Sequence, residues 1–365
     1  MALYIGLMSG TSLDGVDAVL VDTDGARPVV HLHVPFPTAL HDELLALNRR
    51  GDDELHRAAL AANALSIVYA EAVAALIESA GCKATDVRAV VAHGQTVRHR
   101  PREFDGTGYT LQLLNGALLA EHCGIDVVCD FRSRDLAAGG EGAPLVPAFH
   151  AAHFAQAGDD LAVLNLGGIA NLTLLGADGR VSGFDCGPGN ALLDHWCQRH
   201  LGTPYDDDGR WAASGRVDAP LLARLLADAY FQRQPPKSTG RDLFHPDWLE
   251  TALQAGAPPA ADVQATLAEL TVATVAEALL RHAGKTRRLL VCGGGAFNGH
   301  LMRRLAAHLP GVAVQSTASV GVPPEHVEAL AFAWLAQAHV ERRPGSLPAV
   351  TGARGPRVLG ALYPK

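Results

Sequence analysis

Residues 1–22 read MALYIGLMSGTSLDGVDAVLVD, and this stretch decides the fold. Two apolar runs, Leu3–Met8 and residues 16–21, flank a turn of small residues at 9–15. The pattern predicts a β-hairpin whose tip is rich in backbone N–H groups, hydroxyls and carboxylates. Gly10 and Gly15 let the chain approach another group closely. Thr11 and Ser12 add hydroxyl donors, and Asp14 and Asp17 add negative charge that suits a cation. Such a tip suits a nucleotide phosphate carrying Mg2+. Taken alone, it reads better as the turn of an ordinary hairpin.

Working outward, a third strand is predicted at 29–34 and a long helix at 52–80, ended by Gly81. Further strands are expected at Val87–Ala92 and 125–129, with a helix at 115–122 between them. The second half restarts in the same way. Strands at Leu161–Leu166, Ile169–Leu175 and 181–184 surround the turns Gly167-Gly168 and 177–180, and a helix follows at 191–200. A helix over Ala260–Ala283, a strand over Arg288–Cys292 and helices at 299–309 and 327–339 complete the pattern. Strands alternating with helices predict an α/β protein. Both halves open on a small-residue hairpin, a repeat of architecture rather than of letters.

A chain of 365 residues suggests two domains, and 48% hydrophobic residues supply the cores. With no linker of low complexity, the boundary is placed in the glycine-rich stretch 139–147, giving lobes 1–145 and 146–365. The net charge is −8, and the densest basic patch is only Arg98, Arg100 and Arg102, so nucleic acid is not expected as a partner. Six cysteines without a CxxC pair argue against a disulfide framework or structural zinc. No leader is read at the N-terminus and no apolar run reads as long enough to span a bilayer, so a cytoplasmic protein without membrane partners is expected. His150 and His153 have helical metal-ligand spacing but no third ligand nearby, and read as surface or capping residues.

Three glycine-rich turns each follow an apolar strand: residues 9–15, 167–171 and 293–298. Phosphate binding needs backbone N–H groups with no side chain in the way. Any one turn is as well explained by tight packing, whereas three together suggest a nucleotide held between two lobes. None matches a P-loop or a dinucleotide fingerprint. Asp185, at the predicted end of a strand before Gly187-Pro188-Gly189-Asn190, reads either as a general base or as the N-cap of the next helix. His93, Gln95 and Thr96 offer three hydrogen-bonding side chains in four residues, suited to a polyhydroxylated ligand or to a polar loop. Arg132 reads as a carboxylate grip or as the partner of Asp130 or Asp135. The loop Lys237-Ser238-Thr239-Gly240-Arg241 reads as an anion contact or as solvated. Glu328, opening an apolar helix, complements the helix dipole or points into the site.

These motifs together resemble the anhydro-N-acetylmuramic acid kinase family, bacterial sugar kinases of the actin/hexokinase/Hsp70-like superfamily. The resemblance runs through GLMSGTSLDGVDAVLVD, AHGQT, DFRSRDLAAGGEGAPLVP, NLGGIANLT, FDCGPGN, PPKSTGRD, CGGGAFN and EALAFAWLA, in that order. It implies a two-lobed actin-like ATPase (ribonuclease H-like) fold with ATP in the interdomain cleft and Mg2+ on its phosphates. Gly10, Thr11, Ser12, Leu13, Asp14, Gly15, Val16 and Asp17 match the first phosphate hairpin. Gly167, Gly168 and Asn171 match the second, and Gly293, Gly294, Gly295 and Asn298 match the adenosine-side loop. Asp185 corresponds to the catalytic base and Glu328 to a second catalytic carboxylate near the sugar. His93, Gln95, Thr96 and Arg132 fall where the family gathers sugar contacts. The implied reaction opens the 1,6-anhydro ring of an amino sugar with water and phosphorylates O6. Which residue positions the metal is left open. Cys186 and Glu141 depart from the family pattern, where Thr and Gln are common. A homodimer is one reading of apolar surface on the C-terminal helices. The alternatives are a kinase of the same fold acting on another sugar or acyl group, and a nucleotide switch of the actin or Hsp70 kind.

Overall fold

The computed structural model describes residues 2–10, 13–23, 27–240, 243–256 and 258–365. In chain order the strands are β1 (Leu3–Met8), β2 (Gly15–Asp22), β3 (Arg27–Pro35), β4 (Val87–Ala92), β5 (Gln95–Pro101), β6 (Gly108–Leu113), β7 (Val127–Cys129), β8 (Leu161–Leu166), β9 (Ile169–Leu175), β10 (Val181–Pro188), β11 (Arg288–Cys292), β12 (Ala313–Ser316) and β13 (Ala361–Tyr363). The chain forms two compact units. The first comprises residues 1–153 and 326–365, and the second residues 154–325.

The first unit is built on a sheet of order β13-β7-β4-β1-β2-β3. β1, β2 and β3 pair antiparallel, whereas β1–β4 and β4–β7 are parallel. The register of β1 on β2, from Leu3↔Asp22 to Met8↔Asp17, is the hairpin expected from residues 1–22. Side chains alternate across a strand, so β1 serves two faces. Ile5 and Leu7 are fully buried in a core with Leu65, Tyr69 and Leu76 of the Glu54–Ala80 helix. On the other face Gly6 meets the Val327–Val340 helix so closely that a Cβ there would lie 2.2 Å from the Ala329 carbonyl oxygen. Gly81 closes the long helix in the left-handed conformation, as its position suggested.

The second unit carries a sheet of order β10-β9-β8-β11-β12. β8, β9 and β10 pair antiparallel, and β8–β11 and β11–β12 are parallel. With strands ranked within each main sheet, the second sheet runs 3-2-1-4-5, and the first runs 3-2-1-4-5 in the same directions with β13 added antiparallel as a sixth strand beyond β7. The repeat of architecture is real, and it is the strand order of the ribonuclease H-like fold. The Ala260–Ala283 helix is the hub of this unit, with Val263, Leu267, Leu270, Val275 and Leu279 all buried.

Several expectations are corrected. The chain divides after residue 153 rather than 145, and residues 326–365 rejoin the first unit rather than the second. Two contacts bring them back: the small-residue packing of Gly6 on Ala329, and the antiparallel pairing of β13 with β7. Gln95–Pro101 and Gly108–Leu113, where no strands are expected from the sequence, form the β5–β6 hairpin. Its arginines are engaged locally, Arg98 with Glu54, Arg100 with Glu103 and Arg102 with Glu141. Among the described residues two helices, Glu54–Ala80 and Ala260–Ala283, are long and apolar enough to cross a membrane, contrary to the sequence expectation. Both carry core residues here. His150 is buried rather than on the surface.

Candidate active site

In the second unit, three glycine-rich segments converge at the ends of β8, β10 and β11. The Gly167-Gly168 turn receives hydrogen bonds from the segment after β10: Asn190 N–H donates to Gly167 O (2.8 Å), and Gly189 N–H to Gly168 O (3.0 Å). Asn190 Nδ2 reaches Leu166 O at 3.0 Å. A Cβ at Gly189 would lie 2.3 Å from Gly167 O. A Cβ at Gly293 would lie 2.4 Å from Asn165 Oδ1, and one at Gly295 would lie 2.5 Å from Leu166 Cβ. Gly167, Gly168, Gly293, Gly294 and Gly295, far apart in sequence, are thus one loop cluster. Backbone packed this tightly is the material of an anion cradle. Asn298 does something different, because its Oδ1 accepts from Leu301 N–H and caps the Gly299–His308 helix.

Beside the cluster lies a polar row across four strands. The register aligns Cys292 with Asn165, Asn165 with Asn171, and Asn171 with Asp185. Paired residues share a face, so Asp185 and Asn171 are cross-strand neighbours. Asp185 does not cap the following helix. That helix starts at Asn190 with Gly189 in the cap position, and β10 runs on through Asp185 to Pro188. The register shifts between Asp185 and Gly187, a bulge that re-aims a side chain. The carboxylate is half-buried, and its Oδ2 accepts from Thr239 N–H at 2.8 Å. Its backbone is held as well: Asp185 N–H donates to Lys237 O (3.1 Å), and Tyr230 Oη donates to Asp185 O (2.8 Å). Tyr230 escaped the sequence reading, since nothing in its neighbourhood marks it. Cys186 is buried on the other face, and burial, with the Asp185 charge second, pushes its thiol up. It stays protonated and does not compete with the carboxylate.

In the first unit the hairpin tip carries Gly10, Leu13, Asp14, Gly15, Val16 and Asp17, whereas Thr11 and Ser12 lie outside the described residues, as does Arg241. Leu13, Gly15 and Val16 are buried, and Asp14 is exposed. Asp17 pairs with His33 Nδ1 (3.0 Å) and faces His31 Nε2 (3.6 Å). Burial would raise its pKa, but the hydrogen bond from His33 and the nearby His31 ring together outweigh this and lower it. Ser9, buried and absent from the sequence-derived site, bonds Tyr69 Oη at 2.7 Å and Gly94 O at 3.3 Å. Gln95 is buried and donates to Gly10 O at 3.1 Å, and its Oε1 has no partner among the described residues. Gly94 and Gln95 thus support the hairpin tip, from the turn after β4 and from the start of β5. Thr96 lies in the β5–β6 ladder, where its hydroxyl accepts from Gln112 Nε2 (3.2 Å).

Arg132 donates through Nε (3.2 Å) and Nη2 (2.9 Å) to His93 Nε2, and through Nη1 to Gly142 O (2.8 Å). A guanidinium only donates, so Nε2 must accept and the His93 proton sits on Nδ1, 2.6 Å from Gly94 O. Burial first, and the Arg132 charge second, push the His93 pKa down to about 3. Asp135 is fully buried rather than a surface partner of Arg132. It accepts instead from Gly142 N–H and Thr351 Oγ1, both at 2.9 Å, and so organises the glycine-rich loop. Glu141 pairs with Arg102 at 3.1 Å. Glu328, half-buried, lies in the first turn of the Val327–Val340 helix and therefore belongs to this unit. Among the described residues no group of three or more His, Cys, Asp or Glu side chains could hold a metal ion by itself.

The comparisons with known proteins agree with one another. Residues 2–365 match the family model described as anhydro-N-acetylmuramic acid kinase. The curated protein of that name from Cupriavidus pinatubonensis is 61% identical over 368 residues, spanning 99% of this chain and 98% of its own length. Its counterpart from Variovorax paradoxus is 61% identical, covering 99% of both chains. The Bordetella petrii protein is 62% identical over 99% of this chain and 96% of its own. The chain belongs to the anhydro-N-acetylmuramic acid kinase family.

Proposed function

We propose that the chain is a phosphotransferase that opens the 1,6-anhydro bridge of 1,6-anhydro-N-acetylmuramic acid with water and phosphorylates O6. The products are N-acetylmuramic acid 6-phosphate and ADP, a step of peptidoglycan recycling. The observation that carries the reading is Asp185, set on a bulge beside the glycine cluster with Oδ2 held by Thr239 N–H. The family match over residues 2–365 supplies the substrate.

The chemistry follows from those residues. Asp185 takes a proton from a water molecule as that water attacks the anomeric carbon. The bond from that carbon to the bridge oxygen breaks, and the freed O6 takes the γ-phosphoryl group of ATP. The hydrogen bond from Thr239 fixes the carboxylate's direction, which matters more than its strength as a base. In the second unit Gly167, Gly168, Asn171 and Gly293–Gly295 are assigned to ATP, with Asn298 supporting the loop as a helix cap. In the first unit the hairpin Gly10–Asp17 is assigned to phosphate. Asp14, an exposed carboxylate, fits a Mg2+ ion that draws its remaining ligands from phosphate and water; Asp17, engaged by two histidines, fits less well. Bound there, Mg2+ would neutralise phosphate charge. His93, Gln95, Thr96 and Arg132 are assigned to the sugar, with Arg132 a cation for its lactyl carboxylate and Glu328 a second carboxylate near it. All six cysteines are free thiols, which suits a cytoplasmic location.

The test is ADP release from Mg-ATP with and without the anhydro sugar. Sugar-dependent release, lost by several orders of magnitude in Asp185→Asn while ATP still binds, is expected. Release independent of the sugar would favour a nucleotide switch. Turnover of another sugar or acyl acceptor alone would favour a different kinase of this fold. Near-normal turnover by Asp185→Asn would remove Asp185 as the base.

A further inference from the structure

The segment 230–239 touches Asp185 at three points, and each contact constrains a different part of the residue. Tyr230 Oη donates to its carbonyl oxygen (2.8 Å), Lys237 O accepts from its N–H (3.1 Å), and Thr239 N–H donates to its carboxylate (2.8 Å). The segment is also tied to itself. Lys237 is buried, and its Nζ lies 4.7 Å from the centre of the Tyr230 ring and 3.4 Å from Tyr230 O. A buried ammonium over an aromatic face is a cation–π contact that fixes the two ends of the segment together. Tyr230 is itself wedged edge-on against Phe231 and Phe244. A bulged strand has lost part of its ladder at this point, so β9 alone does not hold Asp185 in one orientation.

We infer that residues 230–239 are a strap that orients the Asp185 carboxylate, with Tyr230 and Lys237 as its positioning residues. The inference rests on the reading of Asp185 as the base. Tyr230 and Lys237 touch Asp185 or each other, so they act through the carboxylate rather than on the reacting atoms.

The test is Tyr230→Phe, which keeps the ring under Lys237 and removes only the hydroxyl. The folded variant is expected to lose about three- to tenfold in kcat, the scale of one hydrogen bond. Its KM values for sugar and ATP stay within about twofold, because no binding group is removed. The Thr239 N–H bond stabilises the charged carboxylate, so slackening it raises the base's pKa and moves the acidic limb of the pH–rate profile up by about half a unit. A purely structural loss would lower the active fraction without moving that limb. Among the described residues, the charged and titratable groups nearest this arrangement are Tyr230, Arg233 and Lys237 on the strap and Cys186 beside Asp185 on β10. Glu277, Arg281 and His282 line the cavity that Lys237 and Cys186 share. Burial pushes Tyr230 and Cys186 up, and Lys237, though lowered by burial, starts from the amine range. Glu277, Arg281 and His282 are unaltered in the variant. Lys237→Met, which keeps the apolar stem, is read in the same way and is expected to move both quantities in the same direction.

A folded Tyr230→Phe with wild-type kcat and a wild-type acidic limb overturns the inference, and so does unfolding of both variants, which would make the strap a stability element. Asp185→Asn, measured alongside, separates the two claims. If it is inactive while Tyr230→Phe is normal, only the strap fails; if it is active, the base assignment fails.

Discussion

Arg132 turns two of its nitrogens onto a single atom of His93: Nε and Nη2 lie 3.2 and 2.9 Å from Nε2. A neutral imidazole therefore orients a guanidinium, and burial beside that charge keeps the imidazole neutral. The arrangement is one-sided, because protonating His93 would turn its acceptor into a donor facing two others.

If Arg132 grips the sugar, removing its acceptor should loosen the grip. His93→Phe is expected to raise KM for the anhydro sugar about tenfold or more, with KM for ATP nearly unchanged, on the scale of a charged hydrogen bond. Steady-state kinetics with each substrate varied in turn checks this. An unchanged sugar KM in a folded variant would remove the His93–Arg132 pair from the sugar site.

Acid should weaken the first unit before carboxylate protonation begins. His93 and His150 are both held down to about 3, chiefly by burial. In the unfolded chain they titrate near 6.5. Between those values the unfolded state binds more protons, so stability is complete above about pH 6.5 and falls as pH drops towards 3. Each histidine contributes a slope approaching about 1.4 kcal/mol per pH unit in that window. Denaturant midpoints at pH 7 and pH 5 should show the loss, and His150→Leu should flatten it. A midpoint unchanged across that range would contradict the burial argument.

Gly189→Ala should push apart the loop cluster of the second unit, because its Cβ would lie 2.3 Å from Gly167 O. Backbone on both sides leaves little room to yield, and overpacking of this kind costs about 1–3 kcal/mol. A lowered melting temperature together with a raised KM for ATP is expected. A drop in stability with normal ATP kinetics would make the cluster a packing feature only.

Glu269 is a buried carboxylate on the Ala260–Ala283 helix, engaged by Arg304 (2.7 and 2.9 Å) and His308 (2.8 Å). Arg304→Met strands much of its charge and is expected to cost roughly 3 kcal/mol. Adding Glu269→Met should recover part of that, since an apolar pair in place of a buried ion pair is often near neutral. Chemical denaturation of the single and double variants measures the difference. A double variant weaker than Arg304→Met would show that the carboxylate stabilises the fold in its own right.

How much of this was legible in the letters depended on sequence separation and on burial. Ala260–Ala283 and Arg288–Cys292 agree with the sequence reading to the residue, because an apolar run bounded by Pro, Lys or Gly states its own limits. The glycine turns were legible for the same reason. The β5–β6 hairpin was not: its strands are half exposed, and their arginines disguise the alternation. Nor was the continuation of β10 past Phe184. Asp, Gly and Pro are poor strand formers, and the strand persists because β9 still pairs with it beyond the bulge, at Gly187↔Ala170 and Pro188↔Ile169, with Lys237 O, some fifty residues on, accepting from Asp185 N–H. Ser9 and Tyr69 were invisible as a pair because a tyrosine in an apolar helix reads as core until the fold brings the hairpin to it.

By itself, the sequence determined the α/β class, the doubled hairpin, the glycine turns and the family, since each is local or a matter of composition and motif. Tertiary structure alone decided that residues 326–365 return to the first unit, that the glycine-rich segments after β8, β10 and β11 form one cluster, and that Asp185 is strapped rather than capping a helix. Those are contacts between residues dozens to hundreds apart, and no local preference encodes them. They are selected by how closely packed backbones fit, as where Gly6 leaves room for the helix that carries Ala329.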